Sequence, residues 1–150
     1  MRVFTGADDL RSAAGEQLGT SDWMTIDQER IDTFADATGD HQWIHVDTEK
    51  AAAGPFGTTI AHGFLTLSLL PYLMAQVYRV DGVRMGINYG LNKMRFPAPV
   101  PAGSKVRANA ELAEVEDVQG GLQLVLRTTL EIEGSDKPGC VAEWVTRVYF

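Results

Sequence analysis

The chain has 150 residues, 45% of them apolar, so it is long enough to bury one sizeable core but too short for a second comparable domain. We therefore expect a single domain over residues 1–150. The net charge of −7 argues against a nucleic-acid-binding surface, because phosphate recognition needs a basic patch. The single cysteine, Cys140, cannot form an intramolecular disulfide, and no apolar signal-peptide stretch follows Met1, so the sequence predicts a cytoplasmic location.

The N-terminal part of the sequence predicts short elements that alternate with turns. A short helix is expected over residues 7–14, and residues 23–26 are predicted to be a brief extended segment. Thr25 and Gln28 have the spacing of a capping box, in which two side chains satisfy free backbone N–H groups at a helix start. Apolar residues then recur at helical spacing, so a second helix is predicted over about residues 27–38.

A polar segment follows this second helix and carries most of the reactive side chains. Gly39 is suited to end the helix in a left-handed conformation, and residues 40–47 have no clean period, so they are predicted to be a loop. Asp47 can cap a short helix that runs through residue 53, and the Gly-Pro-Phe-Gly sequence at 54–57 predicts a turn.

The most apolar stretch of the chain spans residues 60–78 and is predicted to be a long helix. Thr58 or Thr59 is positioned to cap it. Its length approaches that of a membrane span, but polar residues such as His62 and a proline, Pro71, interrupt it, so no membrane insertion is expected. We predict a helix buried in the protein core, and because it is apolar on all sides, the rest of the chain must surround it.

The second half of the chain predicts the β-sheet that surrounds this helix. Residues 105–112 alternate between polar and apolar side chains, as expected of a strand with one buried face. The turn-forming connections between successive strands predict an antiparallel meander. An antiparallel sheet that curves around one long helix is an α+β fold. Four strands are expected, at residues 83–96, 105–112, 122–132 and 140–149.

Three segments of the chain resemble the motifs of a known enzyme family. They are Gly-Asp-His-Gln-Trp-Ile-His-Val-Asp at residues 39–47, Gly-Pro-Phe-Gly-Thr-Thr-Ile-Ala-His-Gly at 54–63 and Arg-Phe-Pro-Ala-Pro-Val at 95–100. In this order they resemble the MaoC-like hydratases, also called R-specific enoyl-CoA hydratases or the hydratase 2 family. The resemblance covers most of the chain and implies a single hotdog fold, in which a curved antiparallel sheet wraps a central helix. It also implies a homodimer, an acyl-CoA or acyl carrier protein thioester as substrate, and no cofactor, since coenzyme A is part of the substrate.

The resemblance also implies the catalytic residues. The aspartate and histidine that form the acid/base pair of the family correspond to Asp40 and His45, and the glycine whose backbone N–H lies in the oxyanion hole corresponds to Gly63. The implied reaction adds water to a trans-2-enoyl thioester to give an (R)-3-hydroxyacyl thioester, or runs in reverse as a dehydration. The chain departs from the family motif at Gln42 and Trp43, where Asn-Pro is usual, and this difference bears on the shape of the pocket.

Elementary chemistry supports the same assignment. Hydration needs a group that removes a proton from water, a group that supplies one to C2, and a donor that stabilises negative charge on the thioester oxygen. A free aspartate titrates near about pH 3.9 and a free histidine near about pH 6.5, so ionised carboxylate and neutral imidazole coexist at neutral pH. Gly63 is expected in the first turn of the long helix, where N–H groups lack partners and the dipole favours negative charge. A glycine there also permits close packing of helix on sheet.

Further residues are predicted to bind the substrate. Lys93 and Arg95 lie two apart on a strand, so both could meet the phosphates of coenzyme A or phosphopantetheine, although a solvated strand face explains them equally well. The aromatic candidates are explained either as the lining of an acyl pocket or as core. His62 is predicted to support the catalytic loop. The complete predicted set is Gln42, Trp43, Phe56, His62, Tyr89, Lys93 and Arg95.

Three alternatives remain open from the sequence. A hotdog thioesterase needs a water-activating residue on the central helix, whereas Asp40 and His45 precede that helix. A non-catalytic hotdog subunit would bind an acyl thioester without turnover. The third alternative is a metal site, but no recognised metal-binding spacing is present and no metal is expected. Its ligands would be Asp40, His41, His45 and His62.

Overall fold

The computed structural model describes residues Met1 to Phe150 and contains six helices and eight strands. The helices are α1 (Ala7–Ser12), α2 (Gln28–Thr38), α3 (Trp43–Val46), α4 (Thr48–Ala52), α5 (Gly63–Ser68) and α6 (Leu70–Met74). The strands are β1 (Arg2–Phe4), β2 (Gln17–Thr20), β3 (Met24–Ile26), β4 (Tyr78–Val80), β5 (Met85–Arg95), β6 (Ser104–Val118), β7 (Gly121–Ile132) and β8 (Cys140–Tyr149). None of the helices combines the length and apolarity needed to cross a membrane.

Six strands form one antiparallel sheet, but its order differs from the predicted meander. The order is β2-β6-β7-β8-β5, and β3 is also paired with β6. Strands β6, β7 and β8 follow one another as predicted, whereas β5 lies at the far edge beside β8. The meander prediction was wrong for β5 because the connection at residues 96–103 contains three prolines and does not form a hairpin. It pairs instead with the segment ahead of α5, where the Ala61 N–H donates to the Val100 carbonyl at 2.8 Å.

The central helix is shorter than predicted and is broken near its middle. It consists of α5 and α6, which together span residues 63–74 rather than 60–78, because Tyr78 already lies in strand β4. The break falls at Leu69, whose N–H bonds the carbonyl three residues earlier in a tighter turn. Two residues later, Pro71 has no N–H to donate to the helical ladder, which accounts for the interruption.

The start of this helix also differs from the prediction. His62 occupies the N-cap position and its side chain makes no capping hydrogen bond, so neither Thr58 nor Thr59 caps the helix. The Thr59 hydroxyl donates instead to Gln28 Oε1 at 2.5 Å. The backbone N–H groups of the first turn are therefore left without a side-chain cap.

The core lies between the central helix and one face of the sheet. Alternate residues of β6 are buried and the intervening ones face outward, as the sequence pattern predicts. Burial of both the sheet face and the helix in one cluster confirms the α+β hotdog fold. The fully buried large side chains of this cluster include Leu70, Leu73, Met74, Leu112, Leu122, Leu124, Leu126 and Leu130.

Helix α2 delivers the polar segment to the start of the central helix. Its N-cap is Asp27, whose carboxylate accepts a hydrogen bond from the Arg30 N–H at 2.9 Å. The predicted capping box of Thr25 and Gln28 is not formed, because the helix begins one residue after the aspartate. Gly39 ends the helix with φ at 81°, which confirms the predicted left-handed cap.

Candidate active site

Asp40 lies directly after the turn that ends α2. Its Oδ1 accepts a hydrogen bond from the Gln42 N–H at 3.3 Å, in the manner of an Asx turn. The segment 40–47 is therefore more ordered than the predicted loop, since four of its residues form α3. Asp47 caps α4 through the Lys50 N–H at 3.0 Å, as predicted. The Asp40 side chain stays exposed and able to bind a ligand.

His45, the third residue of α3, is only 6% exposed and is fixed on both sides. Its Nδ1 lies 2.7 Å from the Ile60 carbonyl, and because a carbonyl oxygen can only accept, Nδ1 carries the proton. In the neutral ring, Nε2 is then an unprotonated acceptor. The His45 carbonyl in turn accepts a hydrogen bond from Gln28 Nε2 at 2.7 Å. These two bonds fix the tautomer and the orientation of the imidazole.

The surroundings of His45 lower the pKa of its imidazole. Removal from water is the largest cause, because burial disfavours the charged ring. The adjacent His62 acts in the same direction, whereas the bond to the Ile60 carbonyl and the negative charge of Asp40 act in the opposite one. The net effect keeps His45 neutral at neutral pH, which is the state a general base requires.

We expect the acid limb of the kcat/KM profile to lie below 6.5, the ordinary pKa of histidine, because His45 must be neutral to accept a proton and its pKa is lowered. Activity should then persist as the pH falls to this value and decline only below it. Initial rates across a series of buffers check this result. His41→Gln is the matched control, since His41 is exposed and bonds Asp36 at 2.9 Å. A limb that lies above 6.5 would contradict the expectation.

His62 contacts both proposed catalytic residues. Its ring stacks on that of His45, with centroids 3.9 Å apart and an interplanar angle of 24°. Its Nε2–H donates to the backbone carbonyl of Asp40 at 2.9 Å, and its other face lies against Phe34. The predicted supporting role agrees with these contacts, because one side chain holds the Asp40 backbone at a fixed position relative to the His45 ring.

Asp40, His45 and His62 form a compact polar cluster. One carboxylate oxygen and one ring nitrogen of each histidine lie within 4.8 Å of one another. A water molecule that bonds two groups spans up to about 5.5 Å, so the aspartate and His45 can hold the same water. The cluster does not suit a metal ion, because ring nitrogens bind metals in the plane of the ring and the two stacked rings lie in nearly parallel planes.

Gly63 is the first residue of α5, as predicted. Its N–H therefore has no acceptor within the helix, and no loop carbonyl or side chain accepts from it. The absence of a side chain also has a packing reason, since a Cβ atom at this position would lie 2.7 to 3.0 Å from three ring carbons of Phe96. Both explanations given by the sequence, a free N–H group and close helix packing, apply to the same residue.

A cavity of about 250 Å³ brings part of the predicted site together. His45, Phe56 and Gly63 line it, and apolar residues form most of the remaining wall. Sequence reasoning missed Phe96 and Thr66, which line it as well. The Phe96 signal was present in the Arg-Phe-Pro motif, and Thr66 lies one helical turn after Gly63.

The structure does not bring the other predicted substrate-binding residues to this cavity. Gln42 is exposed at the start of α3, and the Trp43 ring packs against Gly54 and beneath the Lys50 ammonium group. Trp43 therefore does not close the cavity. Tyr89, Lys93 and Arg95 all lie on β5 and line other depressions of the surface. Tyr89 lies under the Arg147 guanidinium, 3.6 Å from the ring centroid, in a separate groove.

The chain is similar to known proteins over most of its length. Residues 9–134 match the model of the MaoC like domain. The chain is 64% identical to 3-hydroxyacyl-thioester dehydratase Z of Mycobacterium tuberculosis, over 98% of each chain. Among solved structures, a monoamine oxidase regulatory protein from Archaeoglobus fulgidus superposes with a TM-score of 0.79 and 24% identity, covering 99% of this chain and 96% of the other. An (R)-hydratase from A. caviae superposes with a TM-score of 0.70 and 24% identity, covering 89% and 94%. The hotdog fold, the family match and the 64% identity together establish that the chain belongs to the MaoC-like dehydratase family.

Proposed function

We propose that the protein is an (R)-specific hydro-lyase that interconverts trans-2-enoyl and 3-hydroxyacyl thioesters. The observation that carries the proposal is the position of His45, whose bond to the Ile60 carbonyl leaves Nε2 free to accept a proton and which has a ring nitrogen within 4.8 Å of an Asp40 carboxylate oxygen. The name of the M. tuberculosis relative supports this class of reaction. We further propose that the domain over residues 1–150 acts in the cytoplasm, where its single cysteine, Cys140, stays reduced.

The reaction proceeds through a water held between Asp40 and His45. The imidazole Nε2 removes a proton from this water, and the hydroxide adds to C3 of the enoyl group. Electron density moves onto the thioester oxygen, where the Gly63 N–H and the N-terminal dipole of the helix stabilise it. The proton held by the acid/base pair then passes to C2 on the same face, which restores the ionised carboxylate and the neutral imidazole. Dehydration follows the same steps in reverse.

The central helix argues against a thioesterase. Hydrolysis requires a group that directs water at the thioester carbonyl, and α5 and α6 carry no carboxylate, histidine or cysteine. The side chains of the Asp40, His45 and His62 cluster belong to residues ahead of the helix. This placement suits attack at C3 better than attack at the carbonyl carbon.

Lys93 and Arg95 are proposed to bind the phosphates of coenzyme A or phosphopantetheine. They line a surface depression of about 280 Å³ together with Arg127. Arg127 is paired with Glu111 at 3.3 Å, whereas neither Lys93 nor Arg95 forms an ion pair. The protein as a whole carries a net negative charge, whereas Lys93 and Arg95 form a local positive cluster. This cluster is therefore the part of β5 that attracts an anion.

The proposed functional unit is a homodimer formed through β5. This strand is the edge of the sheet, so the backbone groups on its outer side lack a partner strand. Apolar side chains are exposed along the same strand and on the neighbouring helices, which favours contact with a second copy. These exposed residues are Phe64, Tyr72, Met85, Ile87, Tyr89 and Leu91.

Replacing Ile87 and Leu91 together by aspartate is expected to convert the dimer into a monomer, because two charges would have to be buried in an apolar interface. Sedimentation equilibrium of the variant and the wild type measures the change. Trp23→Ser is the matched control, since Trp23 is similarly exposed but lies on the other side of the molecule beside Arg107. A wild-type protein that is monomeric at micromolar concentration would refute the proposed dimer.

The activity itself is tested with purified protein and trans-2-enoyl-CoA substrates of increasing chain length. We expect loss of the enoyl-thioester absorbance and formation of the (R)-3-hydroxyacyl product, identified by chiral chromatography. Free coenzyme A, followed with a thiol reagent, should not accumulate. Release of coenzyme A without hydration would favour the thioesterase, and no reaction with any CoA or carrier-protein thioester would refute the proposal.

A further inference from the structure

The Gln28 side chain connects helix α2 to both segments of the chain that hold His45. Its Nε2 donates to the His45 carbonyl at 2.7 Å and to Asp32 Oδ1 at 2.8 Å, and its Oε1 accepts from the Thr59 hydroxyl at 2.5 Å. A carbonyl oxygen and an ionised carboxylate can only accept, so the two N–H groups must face them and Oε1 must face Thr59. Both amide N–H groups and the amide oxygen are therefore engaged, in a single orientation.

Helix α3 depends on such external partners because it has only four residues. The last carbonyls of a helix have no N–H partner within it, and in so short a helix this applies to nearly all of them. The Ile60 N–H donates to the Ile44 carbonyl at 3.0 Å, and Gln28 donates to the His45 carbonyl. An unpaired carbonyl at a buried residue such as His45 would be costly. Gln28 therefore holds the backbone of His45 in its place.

The same glutamine also holds the segment that contacts the His45 ring. Thr59, which is 2% exposed, precedes Ile60, and the Ile60 carbonyl accepts the Nδ1–H of His45 at 2.7 Å. The contacts form a closed ring, from Gln28 to the His45 carbonyl, from the imidazole to Ile60, and from Thr59 back to Gln28. This ring ties the carbonyl that determines the tautomer of His45 to the backbone of the same histidine.

We propose that Gln28 is the positioning residue of His45, and that it holds this histidine and the Ile60 carbonyl together so that Nδ1 keeps its proton and Nε2 stays the acceptor. The consequence for catalysis rests on the proposed hydratase function, and Gln28 itself does not touch the substrate. If the ring of contacts opens, the imidazole proton exchanges between the two nitrogens and Nε2 is no longer aligned with the water. A misplacement of about 1 Å in an active site can cost about 10²-fold in rate.

Nitrogen-15 NMR of the three histidines, at a pH above neutrality, tests the tautomer directly. His45 and His62 are expected to give opposite signatures, because His45 carries its proton on Nδ1 and His62 carries it on Nε2. His41→Gln identifies the signal of the remaining histidine. Gln28→Met keeps the length of the side chain without the amide, so the proton of His45 should spread over both nitrogens while His62 is unchanged. A His45 signal that stays as in the wild type would overturn the inference.

Kinetics with a short trans-2-enoyl-CoA test whether Gln28 acts through His45. Gln28→Met is expected to lower kcat by about 10- to 10²-fold with little change in KM. Gln28→Glu still accepts from Thr59 but cannot donate when ionised, so it should lose at least as much. In the His45→Gln background, Gln28→Met should cause no further loss, because the imidazole that it positions is already absent. A further loss of the same size in that background would overturn the inference.

Thr59 tests the ring of contacts from its other side. Thr59→Val removes the hydroxyl with little change of shape and should lower kcat as Gln28→Met does, whereas Thr59→Ser keeps the hydroxyl and should retain the wild-type rate. The double variant Gln28→Met/Thr59→Val should be no worse than Gln28→Met alone. Gln76→Met is the matched control, since Gln76 accepts from the Asp22 N–H at 3.1 Å, and it should keep the wild-type rate. Full activity of Thr59→Val would contradict the closed ring.

The two kinds of measurement separate this inference from the proposed function. If Gln28→Met changes the tautomer of His45 but the wild-type protein hydrates no enoyl thioester, the proposed function fails and the positioning of His45 stands. If the wild type is active but Gln28→Met changes neither the tautomer nor kcat, the positioning role fails and the proposed function stands. Circular dichroism and the unchanged signal of His62 show that each variant is folded.

Discussion

Asp40→Asn and His45→Gln are each expected to lower kcat for enoyl-thioester hydration by about 10²- to 10⁴-fold. The asparagine amide cannot act as a base, and the glutamine that replaces the imidazole has no unprotonated ring nitrogen to receive a proton from water. Both replacements are close in size to the native residue, so circular dichroism and the melting temperature should change little for the exposed Asp40. Initial rates with a short trans-2-enoyl-CoA measure the effect.

The double variant makes the same expectation more stringent. Because Asp40 and His45 are proposed to hold one water molecule, removal of either abolishes the same step, and the double variant should lose little more activity than a single one. Losses that multiply would show instead that the two residues act in separate steps. Activity near the wild-type level in either single variant would remove that residue from the acid/base pair.

Gly63→Ala is expected to lower kcat by about 10²-fold and the free energy of unfolding by about 1–3 kcal/mol. The new Cβ would lie 2.7 Å from the nearest atom of the Phe96 ring, so the ring must move, and this ring lines the cavity that contains His45. Rates with the same enoyl-CoA and chemical denaturation measure the two effects. Unchanged values in both would contradict the close packing of the two residues.

A second substitution separates the two functions of this glycine. Phe96→Ala in the Gly63→Ala background removes the clash and should restore stability. If activity returns as well, the loss came from displacement of the ring, because the backbone N–H at position 63 is still present. If stability returns alone, the methyl group itself obstructs the thioester. Phe96→Ala by itself is the control for the loss of aromatic packing.

The sequence predicted the elements of the fold more reliably than their arrangement. The alternation of residue types in β6 and the glycine at position 39 determine local structure through neighbouring residues. The sequence therefore predicts the buried face of β6 and the left-handed end of α2, and both predictions are confirmed. The position of β5 and the break at Leu69 depend on distant contacts. The sequence near residue 85 does not specify β8 as the partner of β5. The continuous apolar pattern of residues 60–78 also does not indicate that Pro71 interrupts the hydrogen bonds of the helix.

The site was predictable where a motif carried the chemistry. Asp40 and His45 lie close together beside His62, and His45 and Gly63 line one cavity, because the turn after α2, the helix α3 and the start of α5 converge. Their catalytic roles remain predictions, which the family resemblance supplied. The roles of neighbours were harder to predict. The stacking of His62 on His45 and the packing of Trp43 on Gly54 are tertiary contacts. The neighbouring sequence does not indicate them.

The pairing of β5 with β8 also sets an order of assembly during synthesis. Strands β6, β7 and β8 can associate as successive hairpins, each formed from residues close together in the chain. Strand β5 is made before all of them, yet its partner is the final strand, so it has no place in the sheet until residues 140–149 have left the ribosome. The same strand carries the proposed dimer contacts, and dimerisation must therefore wait until residues 140–149 have emerged. A ribosome that stalls before residues 140–149 emerge would hold a chain in which the apolar side chains of β5 are exposed, and such a chain is the form that chaperones would bind.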